Sequence, residues 1–411
     1  VLWWKQGTLS FRQVALAAPM LLLAVPLGLH TAYLERHQVG AVGPDWDFSL
    51  IERCLIAGRA VWFYAGKLVV PYPLIFMYPR WEIDAGDWRQ YLFPISAVGL
   101  VAGLLLLLKR IGRGPLAAAL FFGGTLFPAL GFFNVYPMKF SFVADHFQYA
   151  ASIGLIVLFV AAGAAGVARY GISHTGQLLG AGLLVLLAIL TWRQCLIYWD
   201  QETLWRDTLA KNPECKMAYI NLGTWLRSEG QLPEAALAFA GAVKLRPSDP
   251  DGHIGLAMTH AELQDLDRAE SILRKAISLD PDYAMTYGNL ADVMYRRERF
   301  DDAAALFQRA LALDEKNILI RYNYGNLLLK QRKWDEAQRQ YERVLERSPD
   351  FVAVRENLAI LHWERGQWTA AAEQFRAVLE IDPDYPDARE FLEAAEANAK
   401  LKVGPPQERV K

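Results

Sequence analysis

The chain has 411 residues, 53% of them hydrophobic, and a formal net charge of −1, an apolar fraction high for a wholly soluble protein. The near-neutral total conceals two unlike halves: residues 1–199 hold 14 Lys/Arg and 8 Asp/Glu, whereas residues 200–411 hold 29 and 36. Basic residues alternate with acids throughout the second half, which excludes a nucleic-acid-binding face, and Cys54, Cys195 and Cys215 show neither disulfide nor metal-ligand spacing.

The chain opens on Val1, and no small-residue cleavage site follows Trp3, Trp4 and Lys5; it reads as a fragment with membrane sequence upstream. A spanning helix needs about 20 mostly apolar residues, because each adds about 1.5 Å to a crossing of about 30 Å. Five segments of a membrane domain, 1–199, meet that condition: 14–33, 91–108, 116–136, 147–168 and 177–198. Segment 51–71 contains Glu52, Arg53, Arg59 and Lys67, which fall within an arc of about 120° on a helix. That arc predicts a helix beginning near Ser49 and lying in the headgroup region rather than crossing. Lys5 and Arg12 precede the first span, and Lys109, Arg110 and Arg113 join the second to the third, so these loops are expected in the cytoplasm. Five crossings then place the C-terminal half on the non-cytoplasmic side, with a bacterial inner membrane as the expected site.

From residue 200 onward the sequence repeats. Pro213, Pro247, Pro281, Glu315, Pro349 and Pro383 recur every 34 residues, with glutamate as the one replacement. Counting each repeat from 31 residues before its closing residue, position 20 is Ala235, Ala269, Ala303, Ala337 and Ala371. Position 24 is Phe239, Leu273, Phe307, Tyr341 and Phe375, and position 8 is always Gly or Ala. This pattern resembles the tetratricopeptide repeat, in which small residues let two antiparallel helices approach and a bulky one fills the gap between repeats. The implied fold class is all-α: a multi-span helix bundle followed by an α-solenoid over 200–401. It comprises a half repeat (200–213), five full repeats (216–383) and a capping helix (386–401), with a disordered tail over 402–411. The half repeat carries Trp205 at position 24, and the end of the last apolar helix is its expected partner.

Position 6 is asparagine in four of five repeats, Asn221, Asn289, Asn323 and Asn357, with Gly255 the exception. Asparagine is a mediocre helix former, and a row of carboxamides can bond the backbone of an extended peptide whatever its sequence. The alternative is that each amide bonds within its own helix pair. Tyr295, Tyr322, Asn326 and Trp363 are expected on the same concave face, a mixed lining that suits a protein or peptide partner. His253, His260 and His362 occupy packing positions 4 and 11.

VADHFQYAASIG (143–154) places Asp145 and His146 at the mouth of the fourth span. Asp145 reads either as a helix-start residue favoured by the macrodipole or as a functional acid. YPRW (78–81) after the interfacial helix, this stretch, and external repeats after five crossings resemble the transmembrane and tetratricopeptide repeat O-mannosyltransferases, which belong to the C-type glycosyltransferases. The resemblance implies transfer of a sugar from a polyprenyl phosphate to an acceptor outside the cytoplasm. It implies Asp145 and His146 as catalytic residues, and Arg53, Arg59, Arg80 and Lys139 facing the lipid phosphate. Asp45 and Asp47 add a DxD spacing in the first external loop present. The family's own catalytic acid normally lies in an earlier loop. No resident cofactor or metal site is read from the residues. Two function classes follow: a membrane-anchored scaffold whose repeats bind protein partners, favoured for these residues, and part of a lipid-linked sugar transferase whose repeats select the acceptor.

Overall fold

The computed structural model describes residues 2–8, 10–43 and 45–402. They form helices joined by turns and loops, with no strand among the described residues. The chain divides into two compact units, Val1–Leu222 and Gly223–Lys411, so the boundary falls inside a helix, whereas composition changes at residue 200. The tail expected to be disordered lies outside the described residues, except for Lys402.

The first unit begins with α1 (Leu2–Gln6) and α2 (Phe11–Leu34), the latter opened by a capping box in which Ser10 and Gln13 exchange side-chain bonds and extended by a π-turn, Glu35–Val39. Then come α3 (Leu50–Val69), α4 (Leu92–Leu106), α5 (Leu108–Ile111), α6 (Gly114–Leu126), α7 (Tyr149–Tyr170), α8 (Ser173–Ile197) and α9 (Gln201–Lys211). Among the described residues, four helical stretches are long and apolar enough to cross a membrane: Phe11–Val39, Trp88–Leu106, Asp145–Tyr170 and His174–Ile197. The expected span 116–136 is shorter. Its helix ends at Leu126, and a 3-10 turn over Phe127–Ala129 follows. Pro128 lacks the N–H that would continue the ladder, and Gly131 takes a left-handed φ of +89°.

The helix expected to lie in the headgroup region carries much of the packing of this unit. It starts as the sequence indicates, with Ser49 and Glu52 forming a capping box. Leu55, Ile56, Ala57, Ala60 and Tyr64 are then buried. Gly58 lets α4 come so close that a β-carbon there would sit 2.5 Å from the Pro94 nitrogen.

The second half is built of hairpins. Lys216–Ser228 (α10) and Leu232–Leu245 (α11) form the first pair, and Pro250–Glu262 (α12) with Leu266–Leu279 (α13) the second. Ala284–Arg296 (α14) with Phe300–Leu313 (α15), Ile318–Lys330 (α16) with Trp334–Leu345 (α17), and Val352–Glu364 (α18) with Trp368–Ile381 (α19) complete five. Ala388–Lys402 (α20) packs on the last. All five position-20 alanines have zero exposure, and the five position-24 side chains are at most 3% exposed, so close approach and gap filling occur where the period places them. Gly255 breaks the asparagine series for a steric reason: a β-carbon there would lie 2.2 Å from the Phe239 ring.

Each hairpin turns in the same way. Position 15 takes a left-handed φ in every repeat, at Gly230 and Gly366 but also at Gln264, Glu298 and Arg332. The next residue's N–H reaches back to position 11: Gln231 to Leu226, Asp265 to His260, Arg299 to Met294, Lys333 to Leu328 and Gln367 to His362, at 2.8–2.9 Å. These are Schellman closures, which satisfy carbonyls that the helix end leaves open.

Candidate functional sites

Within the first unit, three loops fold over α3. Trp46 donates its indole N–H to the Val135 carbonyl (3.0 Å), and Trp81 packs against Phe142 with ring centroids 6.0 Å apart. Arg53 holds this arrangement together. Its guanidinium donates to the carbonyls of Gly131 (2.8 Å), Trp46 (3.0 Å) and Phe48 (3.2 Å) and to Asn134 Oδ1 (2.7 Å). Arg80 is likewise committed: it forms an ion pair with Asp45 at 2.9 Å, donates to the Asp45 carbonyl, and lies over Phe48 and Phe142. Of the four basic residues expected to face a lipid phosphate, these two are therefore occupied by protein. Lys139 is half-buried with its ammonium 6.0 Å from the Phe140 ring, and Arg59 is half-buried against Trp81, its guanidinium 4.5 Å from the ring centre. Asp45 of the DxD spacing is the Arg80 partner, and Asp47 is exposed.

Asp145 and His146 lie in a 3-10 turn, Asp145–Gln148, ahead of α7. Asp145 stands in the first turn, as a helix-start residue does, although neither this turn nor α7 has a side-chain cap hydrogen bond. The carboxylate is half-buried, and its Oδ1 accepts the Tyr78 hydroxyl at 2.9 Å. The YPRW and VADHFQYAASIG stretches thus meet through one hydrogen bond. Lys67 completes the cluster, with its ammonium 5.4 Å from the centre of the Tyr78 ring. Burial first, and then the Asp145 carboxylate beside it, push the Tyr78 phenol above its ordinary range, so Tyr78 stays a donor at any physiological pH. His146 is exposed and packs edge-on against Phe147, 4.5 Å between ring centres. Reading the sequence missed Tyr78 and Lys67 as partners of Asp145. The signal was present in the tyrosine of YPRW but had no distance attached.

The half repeat docks on the loop that carries Tyr78. Lys211 Nζ donates to the Leu74 carbonyl (2.9 Å) and Asn212 to that of Met77 (3.0 Å), and Phe76 meets Trp205 edge to face at 5.4 Å. The partner expected from the end of the last apolar helix is therefore supplied largely by residues 74–77, with Tyr198 beside them 6.2 Å from Phe76.

In the second unit the position-6 asparagines do not form a uniform row. Asn289 donates to the Met285 carbonyl of its own helix (2.7 Å), and Asn357 donates to Asn326 Oδ1 (2.8 Å) and toward Tyr322 OH (3.4 Å). Asn326 also accepts from the buried Tyr341 hydroxyl at 2.7 Å. These amides brace the stack; Asn323 is exposed, and Asn221 belongs to the first unit. Tyr295, Tyr322 and Trp363 are half-buried, backed by Phe300, by Phe351 and by Trp368 with Phe391. The three histidines pack as their positions indicate: His253 bonds the Pro247 carbonyl (2.9 Å), His260 is buried facing Asp265 (3.5 Å), and His362 bonds Gln367 (2.7 Å).

Tetratricopeptide repeat models match residues 202–250 and 322–386, and a second such model matches 252–316. The stacked hairpins are tetratricopeptide repeats. A type IV pilus assembly protein, PilF of Pseudomonas aeruginosa, is 30% identical over 121 residues, which make up 29% of this chain and 46% of PilF. The chain thus spans just under half the length of that relative. Among solved structures, YrrB, a TPR protein with an unusual peptide-binding site, is 22% identical with a TM-score of 0.34, covering 47% of this chain and 97% of that one. PilW, a widely conserved type IV pilus biogenesis factor, is 21% identical with a TM-score of 0.39, covering 47% and 95%.

Proposed function

We propose that the chain is an integral membrane protein whose repeats hold a protein or extended-peptide partner on the non-cytoplasmic side of a bacterial inner membrane. The observation that carries this reading is the surface of repeats three to five. Half-buried Tyr295, Tyr322 and Trp363 are fixed by aromatic neighbours, Asn323 is exposed on the same helix as Tyr322, and the Tyr341–Asn326–Asn357 bonds brace the helices. Rigid aromatic anchors of this kind dominate protein interfaces because they bury large area at little entropic cost. The likeness to a pilus assembly protein fits a role in gathering other proteins. A photo-crosslinking amino acid at position 323 in the full chain should trap a defined partner, and Tyr295→Ala with Trp363→Ala should abolish that adduct. An adduct unchanged in the double variant would move the partner elsewhere.

A second reading, polyprenyl-phosphate-dependent sugar transfer with the repeats selecting the acceptor, is favoured by one feature. One Asp145 oxygen is held by Tyr78, while the other accepts no hydrogen bond among the described residues and is open to accept a proton from an acceptor hydroxyl. Transfer from a polyprenyl-phosphate sugar by the full-length gene product, lost in Asp145→Asn, supports it; full activity in the variant removes Asp145 from the chemistry.

A further inference from the structure

Arg59 differs from the other arginines on and around α3. Arg53 and Arg80 have carbonyl and carboxylate acceptors, but Arg59 has no hydrogen bond or ion pair among the described residues. Its guanidinium is half-buried, 4.5 Å from the centre of Trp81 and 5.9 Å from that of Phe93. Aromatic faces stabilise the charge but accept none of its in-plane N–H donors. Such a group lacks an oxyanion acceptor.

One helical turn along α3, Trp62 donates its indole N–H to the Phe93 carbonyl at 3.1 Å. Trp62 is also a wall of a groove of about 650 Å³. Val61 and Ala65 of α3, Ala97 and Val101 of α4, and Phe122 of α6 line it as well, all of them apolar. Phe93 flanks the cation from the first turn of α4, so the charged mouth and the apolar groove share one border. Val98 and Phe159 of the lining are also widely exposed, so the groove opens to the outside.

We propose that Arg59 and this groove hold one anionic phospholipid from the surrounding bilayer, with the phosphate on the guanidinium and an acyl chain along the groove. The proposal rests on the membrane reading above. The charge selects the headgroup, since an anion supplies the missing acceptors, and the groove selects a tail, since nothing polar lines it. A free phosphate would leave the groove unfilled.

The test is lipid retention by the full chain, purified in mild detergent and returned to nanodiscs of mixed phosphatidylglycerol and phosphatidylethanolamine, then read by native mass spectrometry. Wild type should keep one phosphatidylglycerol with at least a fivefold preference over phosphatidylethanolamine. Arg59→Gln should lose the preference, Arg59→Lys should keep most of it, and Ala97→Phe, which fills the groove, should cut retention several-fold with Arg59 intact. Equal retention of both lipids by wild type, an unchanged preference in Arg59→Gln, or exclusive retention of an isoprenoid phosphate overturns the proposal. Carbonate extraction separates its failure from that of the membrane reading: a chain released into the soluble fraction sinks both, whereas an embedded chain without lipid preference sinks this one alone.

Discussion

In the repeat unit the contact that joins one hairpin to the next is made again every 34 residues, by a fully buried alanine at position 20 and a bulky side chain at position 24. In the first unit each joint is made once: Arg53 ties two loop segments, Gly58 sets the approach of α4, and Tyr78 reaches Asp145. A repeated joint announces itself in the sequence and tolerates variation, since Leu273 serves where other repeats use Phe or Tyr. A joint made once leaves no pattern, and its loss is not shared by copies elsewhere.

This contrast can be broken by substitution. The largest effect is expected at Tyr341, fully buried with its hydroxyl on Asn326: Tyr341→Ala should cost about 4 kcal/mol, read as faster hydrogen exchange in α16–α18. In the first unit, Arg53→Met should cost about 3 kcal/mol because several carbonyls lose a charged donor, and exchange should quicken around 131–135 while α16–α18 stay protected. If both variants loosen both regions equally, the joints are not local as described.

Smaller changes sharpen the repeat side. Gln264 and Glu298 hold left-handed φ values of 64° and 58° where other repeats use glycine, so Gln264→Gly and Glu298→Gly should each raise stability by about 1 kcal/mol. A lower melting temperature in either would contradict the turn assignment. The smallest effect concerns His260, whose pKa is lowered by burial and by Arg268, against the opposing pull of Asp265. Its folded value lies below its unfolded value of 6.5, so the unfolded chain binds the proton more readily. Stability should therefore be complete above that pH and fall as pH drops through the folded value, and His260→Gln should flatten the slope between pH 7 and pH 5.

The repeats were legible because small residues recur at a fixed period: Ala235, Ala269, Ala303, Ala337 and Ala371 return every 34 residues, and each is fully buried. The asparagines were less so. A carboxamide bonds a peptide, a neighbouring side chain or its own helix with equal chemical ease, and only coordinates separate Asn289, turned onto Met285, from the exposed Asn323. The surroundings of the helix at 50–69 were hidden for a related reason. Its charged arc was legible, but not that loops supply carbonyls to Arg53, or that a loop and α4 supply aromatic rings to Arg59. The link between Tyr78 and Asp145 spans 67 positions and has no periodicity to betray it.

The central claim is that the apolar helices cross a bilayer and hold the repeats on its non-cytoplasmic side. Protease added to intact spheroplasts expressing the full chain, with an antibody against α12–α17 as readout, tests it most directly. The account predicts that the repeats are digested before lysis while a cytoplasmic marker survives. Repeats that stay whole until the membrane is broken would contradict it.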